Sequence, residues 1–334
     1  MTHPFAIQSS GNIKLKELYS NSDIYLYPYA RYAFLEALKM LDIKTIYLPT
    51  FICRDMLAPI NVLRIKYFLY EVNEKLEPIL EDIKCDAILM VNYFGFSQNI
   101  KPFENYKKKY NSLIIEDNAH GFLSKDRNGV LLGTRGDIGL LSIRKTVFLP
   151  NGGALLINNE FLKDKKYQSA ETQQSYEDVK HNKKFDLKNK IFSKYLGISI
   201  ILLRRVIRFI KTGSSIPLPD RLSEKEMPSN CYLTPILKDG IISIDIEEEI
   251  QRRRKMYLKI KEYAQQFDIK PIYDLDDNTV PFEFAFIDNE NYKKFEQYLY
   301  AKGFFILPWP DLPNGIINIC PKFYKNVKVV PFLW

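Results

Sequence analysis

Apolar residues recur at helical spacing from Arg31 to Leu41, with Ala33, Phe34, Ala37, Leu38 and Leu41 on one face, and Ile46-Tyr47-Leu48 follows as a short buried strand ended by Pro49. The runs Ala87-Ile-Leu-Met-Val-Asn-Tyr-Phe, Ser112-Leu-Ile-Ile and Ala154-Leu-Leu-Ile repeat the strand signal, separated by polar stretches long enough for helices. Strands that are apolar at nearly every position predict an α/β fold with a mostly parallel sheet, sandwiched by helices, over roughly the first 160 residues. Such sheets present functional side chains from loops beyond the carboxyl ends of their strands. The chemistry is therefore expected just after strands.

From Asp164 to Leu222 the pattern changes. It begins polar, becomes the apolar stretch Ile191–Ile210 interrupted by Lys194, Arg204, Arg205 and Arg208, and ends in a Gly/Ser/Pro-rich segment. This reads as a helical insertion, about 164–222, within a large domain spanning 1–235. The stretch is too short and too charged to cross a bilayer, and is expected to pack on the protein or on a dimer mate, with a membrane surface as the lesser alternative. After Asp239, acids precede bases in Ile244-Asp-Ile-Glu-Glu-Glu-Ile-Gln-Arg-Arg-Arg-Lys, the order a helix dipole favours. Strand-like Phe282–Ile287 and helical Asn291–Lys302 complete a small C-terminal α+β domain over 236–334.

With 334 residues, 46% of them hydrophobic, the chain buries a large core. Its first residues hold no basic run followed by an apolar stretch, so no secretory signal is read and a cytoplasmic location is expected. The four cysteines, Cys53, Cys85, Cys231 and Cys320, form no C-x-x-C pair; neither a metal site nor a disulfide framework is expected, and each reads as a small buried apolar residue. The net charge of +8 favours an anionic partner. No zinc-finger spacing, RNP motif or helix-turn-helix signature points to nucleic acid, so a phosphate-bearing small molecule fits the charge better.

The chemistry concentrates in two stretches. In Leu113-Ile-Ile-Glu-Asp-Asn-Ala-His-Gly an apolar strand ends in two acids and delivers Asp117 to the ligand side of the sheet. A carboxylate there can keep the pyridine nitrogen of pyridoxal phosphate (PLP) protonated, although helix caps and metal ligands use the same placement, and on this residue alone a cap is favoured. The second stretch runs from Gly136-Asp-Ile-Gly-Leu-Leu-Ser-Ile-Arg-Lys to Gly152-Gly-Ala. On its own Lys145 reads as a surface lysine and His120 as a satisfied structural histidine.

Together these stretches resemble the DegT/DnrJ/EryC1/StrS family of fold-type I PLP-dependent enzymes, mostly sugar aminotransferases. Glu116, Asp117, Ala119 and His120 match one family block, Gly136, Asp137, Ile138, Ser142 and Lys145 a second, and Gly152, Gly153 and Ala154 a third. The resemblance implies a Schiff base between PLP and Lys145, which also serves as the base. It implies that Asp117 pairs with the pyridinium, that His120 lies against the cofactor ring or its 3′-oxygen, and that Ser142 binds the phosphate. Tyr29-Ala-Arg-Tyr is similar to the family's phosphate-cradling turn, which places Ala30 and Arg31 there. Cys53 stands where the family commonly has a stacking aromatic, leaving Phe51 or Tyr93 for that task. Ser229-Asn-Cys-Tyr-Leu-Thr is similar to a motif whose asparagine reaches the neighbouring subunit's phosphate, which implies that role for Asn230 and a homodimer with shared active sites, although Tyr232 replaces the motif's arginine.

One departure stands out: two residues separate Ser142 from Lys145 where the family usually has four, while the spacing from Lys145 to Gly152 is the familiar one. Arg144 beside it cannot form a Schiff base but can bind phosphate or carboxylate. The function implied is a PLP-dependent aminotransferase acting on a keto-sugar nucleotide, with a glutamate-type amino donor, in surface polysaccharide or amino-sugar biosynthesis. Two alternatives stay open: another PLP chemistry, a decarboxylase or lyase acting on an amino acid or its phosphate, and a non-catalytic relative that binds a partner or a membrane surface.

Overall fold

The structure, a computed structural model, describes residues 12–176, 178–181, 183, 196–214, 220–229 and 231–332. Its strands are β1 (Asn12–Lys14), β2 (Asp23–Tyr27), β3 (Thr45–Pro49), β4 (Lys66–Val72), β5 (Pro78–Ile79), β6 (Ala87–Val91), β7 (Leu113–Asn118), β8 (Ile138–Leu141), β9 (Gly153–Ile157), β10 (Ile241–Ser243), β11 (Glu283–Ile287), β12 (Leu307–Pro308) and β13 (Val327–Pro331). The main sheet has the order β2-β9-β8-β7-β6-β3-β4-β5. Strands β8, β7, β6, β3 and β4 run parallel, whereas β9 is antiparallel to both β8 and β2, and β5 to β4. All five residues of β6 and of β9 are buried, which accounts for the continuous apolar runs: neither face meets water.

The chain leaves β3 to pair β4 on one side and returns to place β6 on the other, and that reversal opens a crevice beyond the carboxyl ends of these strands. Helix α1 (Ala30–Met40) buries Ala33, Phe34, Ala37 and Leu38 against the sheet. Helix α2 (Lys101–Tyr110) starts with a proline in its first turn and stops at Asn111, whose φ of 54° is left-handed. Helix α3 (Leu196–Thr212) lies in the expected insertion. Helix α4 (Ile246–Gln265) is capped by the Asp245 side chain, which accepts from the Glu248 N–H at 3.0 Å, with Glu247, Glu248 and Glu249 in its first turn. Helix α5 (Tyr292–Ala301) follows, and β11, β13 and β12 form a three-stranded antiparallel sheet.

The C-terminal sheet does not keep a separate core. Tyr257, Phe284, Phe286 and Phe295 belong to the same apolar cluster as Ile46, Leu48 and Ile88 of the main sheet. Near the N-terminus, β1 pairs antiparallel with β10. Three of the four cysteines depart from the buried placement expected of them: all are free, but only Cys85 is buried, and Cys53 lies against a cavity. No described helix is long and apolar enough to cross a membrane. Helix α3 sets Arg205 over the rings of Tyr300 and Phe305, at 4.6 and 5.8 Å, while Leu203, Val206, Phe209 and Ile210 are exposed. The first residues of the apolar stretch, 191–195, lie outside the described residues.

Candidate functional site

Strand alternation sorts the two acids of β7. Glu116 is fully buried and its carboxylate is filled: Arg135 donates through Nε at 2.8 Å and a terminal nitrogen at 2.6 Å, Asn92 Nδ2 at 2.8 Å, and the Arg135 N–H at 2.8 Å. Asp117, pointing the other way, keeps one oxygen for the Ala119 N–H at 3.0 Å, while its second oxygen receives no hydrogen bond from a described residue. Burial raises its carboxyl pKa above the ordinary range, opposed by the Ala119 N–H and the Lys145 charge. Asp117 lines a cavity together with Tyr29, Ala30, Arg31, Phe51, His120, Ser142, Arg144, Lys145 and Trp309.

The short Ser142–Lys145 connection has a simple geometry. Residues Ile143–Lys145 form one turn of 3₁₀ helix, closed by the Lys145 N–H on the Ser142 carbonyl at 3.1 Å. With three residues per turn, positions i and i+3 eclipse, so the shortened loop still brings Ser142 and Lys145 to the same cavity. The Lys145 amine makes no hydrogen bond or ion pair with a described residue, and lies 5.6 Å from the centroid of the Phe282 ring. Burial lowers its pKa, the condition an amine needs to act as nucleophile or base near neutrality.

At the other end of the cavity α1 begins at Tyr29 and Ala30 without a side-chain cap, leaving its first N–H groups to an anion. Arg31 and Arg144 flank this turn, with guanidinium carbons 5.4 and 4.9 Å from the Tyr29 ring centroid, and Arg31 also pairs with Asp55 at 3.2 Å. Gly153 explains the glycine pair: a Cβ there would sit 2.5 Å from the Ala30 nitrogen and the Tyr29 carbonyl carbon, so only glycine lets β9 run this close to the turn.

His120 accepts the Phe94 N–H on Nδ1 at 3.3 Å, and burial with the Lys145 charge holds its pKa well below the ordinary value, so the ring is neutral with its proton on Nε2. Its ring is stacked on Phe282, at 4.6 Å and 18°. Phe94 occupies the left-handed region at φ 56°. Phe51 is buried in an aromatic cluster with Tyr93, Trp309 and Tyr324, at 5.5, 5.3 and 4.8 Å. Burial lifts the Cys53 thiol to about 12, so it stays uncharged near neutrality.

Asn230 lies outside the described residues. The other expected positions, Ala30, Arg31, Phe51, Asp117, His120, Ser142 and Lys145, all line one cavity. Sequence reasoning missed Trp309, Phe282, Arg253 and Glu283. Arg253 stands behind Lys145: it is buried and donates to the carbonyl oxygens of Lys145 and Thr146 at 3.2 and 3.4 Å. Among the described residues no cluster of histidine, cysteine or carboxylate side chains has metal-binding geometry. A phosphate-bearing pyridine aldehyde fits the cavity chemically: an unpaired amine, a carboxylate with one open oxygen, and an uncapped helix start flanked by two guanidinium groups.

The architecture, with its mostly parallel central sheet and flanking helices, is that of the fold-type I PLP-dependent aminotransferases. Residues 70–198, which carry Asp117, His120 and Lys145, match the sequence model of the DegT/DnrJ/EryC1/StrS aminotransferase family, as the motifs suggested. No curated protein sequence matches the chain. Among solved structures, Helicobacter pylori PseC, an aminotransferase involved in the biosynthesis of pseudoaminic acid, superposes with a TM-score of 0.60 at 14% identity, over 95% of this chain and 83% of that one. A DegT DnrJ EryC1 StrS aminotransferase from Brucella abortus gives 0.59 at 12% identity, over 95% and 82%. An E. coli GDP-4-keto-6-deoxy-D-mannose-3-dehydratase with bound hydrated PLP gives 0.55 at 14% identity, over 95% and 85%.

Proposed function

We propose that this chain is a PLP-dependent aminotransferase that moves an amino group from a glutamate-type donor to a keto-sugar, carried on a nucleotide, in amino-sugar or surface polysaccharide biosynthesis. The observation that carries the reading is the convergence on one cavity of the Lys145 amine, the open oxygen of Asp117 and the bare N-terminus of α1. When bound, the cofactor supplies an electron sink for the carbanion at the substrate's α-carbon.

Each residue then has a defined task. Asp117 would accept a hydrogen bond from the pyridine nitrogen of the bound cofactor and hold its proton in place. The N–H groups of Ala30 and Arg31, the Ser142 hydroxyl and the Arg31 and Arg144 guanidiniums bind the phosphate. The neutral His120 ring, held by the Phe94 N–H and the Phe282 face, supports the cofactor without adding charge. Lys145 Nζ would hold the cofactor and, as a free amine, would take the proton from the substrate carbon, a task its lowered pKa suits.

A second, larger cavity of about 840 Å³ shares Arg31 and Asp55 with the first and is bounded by residues 220–229 and 307–311. That is ample for a sugar nucleotide. Its described charged side chains are Asp55, Asp220, Glu226 and Asp311 against Arg31. Carboxylates accept hydrogen bonds from hydroxyl groups, so this wall suits the sugar. In this reading the protein is a cytoplasmic homodimer with shared sites, and Asn230 reaches the partner's phosphate.

The test is direct. Protein incubated with PLP, reduced with borohydride and digested is expected to carry the cofactor on the peptide containing Lys145, and Lys145→Ala to carry none. With glutamate and a nucleotide-linked keto-sugar, mass spectrometry is expected to find the aminated sugar; absence of labelled Lys145 sinks the assignment, and release of carbon dioxide replaces transamination by decarboxylation.

A further inference from the structure

Glu283 opens β11, and its side chain is buried with Oε2 receiving no hydrogen bond. An unpartnered carboxylate oxygen of this kind is costly and calls for a reason. Its neighbour in sequence lies beside the Lys145 amine. Phe282, the preceding residue, faces Lys145 Nζ with its ring and donates its N–H to the Phe94 carbonyl at 2.8 Å. Arg253 stitches the same two segments together: besides the carbonyls of Lys145 and Thr146, it donates to those of Pro281 and Phe282 at 3.4 Å each. Its Nε is bound to Glu249 at 2.6 Å. A cavity-lining amine and a buried carboxyl are thus fixed on backbone held by a common guanidinium, yet no ion pair joins them.

We propose that Glu283 is a positioning residue that acts through Lys145, holding a proton while the Lys145 amine is uncharged and losing it when that amine becomes ammonium. The exchange leaves the net charge of the two groups at zero in both states, since the proton that the amine gains is matched by the one the carboxyl releases. In a site of low dielectric this avoids the cost of an isolated charge. The groups acting on each partner support the coupling. Burial pushes the Glu283 carboxyl up to about 7, and the charges of Lys145 and Arg253 pull it down. Burial pushes the Lys145 amine down; Cys53, Asp117 and Glu283 oppose this, and Arg144 adds to it. The proposal rests on Lys145 being the functional amine of the site.

Because the interaction is mutual, each partner shifts the other by the same amount. The experiment uses the protein without added cofactor, so that it does not depend on PLP chemistry. The acetylation rate of Lys145 by acetic anhydride, read by peptide mass as a function of pH, gives the amine's midpoint. In Glu283→Gln that midpoint is expected to fall by about one pH unit, the size of a shift from one nearby charge. An unchanged midpoint in a variant with wild-type circular dichroism and melting overturns the proposal. If Glu283→Gln does not fold, carboxyl carbon NMR in Lys145→Met reads the converse: the Glu283 midpoint is expected to rise above that of the wild type, and an unmoved midpoint rejects the coupling. Coupling found without PLP labelling of Lys145 would leave this proposal standing and remove the enzymatic one.

Discussion

Glu116 spends its carboxylate on Arg135, Asn92 and backbone N–H groups, so Glu116→Ala strands a buried guanidinium and is expected to cost about 3–5 kcal/mol in urea unfolding. Its neighbour should behave in the opposite way. Asp117→Asn removes a carboxyl that burial already disfavours, so stability should hold or rise while kcat/KM falls by about 100-fold or more, about 2.7 kcal/mol of transition-state stabilisation. Glu283 adds a pH dependence of its own. Its folded pKa lies above the unfolded one, so folding binds an extra proton between 4.5 and about 7. Its contribution is complete below 4.5 and is lost as pH rises through about 7, a difference on the order of 3 kcal/mol at full shift. Thermal melts at pH 5 and pH 8 should show this loss in the wild type and a smaller one in Glu283→Gln.

At the scale of elements, the turn from β2 into α1 depends on how closely β9 can pass it. Gly153→Ala puts a methyl group 2.5 Å from the Ala30 nitrogen, and is expected to weaken PLP binding at least tenfold in a fluorescence titration, because the N–H groups meant for phosphate must move. This turn was partly legible in the sequence: the helix start at Ala30, the strands at 87 and 113 and the glycine pair all announce themselves by period or composition. The 3₁₀ turn at Ile143–Lys145 was not, because the departure from family spacing looks like a deletion until the turn shows that three residues per turn suffice. Arg253 was hidden for another reason. In Arg252-Arg-Arg254 it looks like part of a solvated helix face, and only the packing of α4 against the turn after β8 shows it buried on the Lys145 carbonyl. Phe282 and Trp309 come from a C-terminal region that no motif covered.

For the whole molecule, the fold class was readable because a parallel sheet buried on both faces leaves continuous apolar runs. The second sheet's union with the first was not, since the contacts joining Phe284 and Phe286 to the main core are distant in sequence. The second half of helix α3 exposes Leu203, Val206, Phe209 and Ile210, against the usual arrangement. Sedimentation is expected to give twice the chain mass of 39.3 kDa, as the proposed dimer requires.

The pairing of Glu116 and Asp117 on β7 has a wider consequence. The strand's alternation makes them a scaffold carboxylate and, in the proposed reading, a ligand carboxylate separated by a single peptide unit, with β6 and β8 fixing which is which through the pairs Val91 with Asp117 and Asp117 with Leu140. Losing one residue from Leu113–Ile115 would do more than shorten the strand. It would turn Glu116 toward the cavity and Asp117 toward Arg135, exchanging the two jobs between side chains that differ by one methylene, so the reading frame of this strand is itself part of the site.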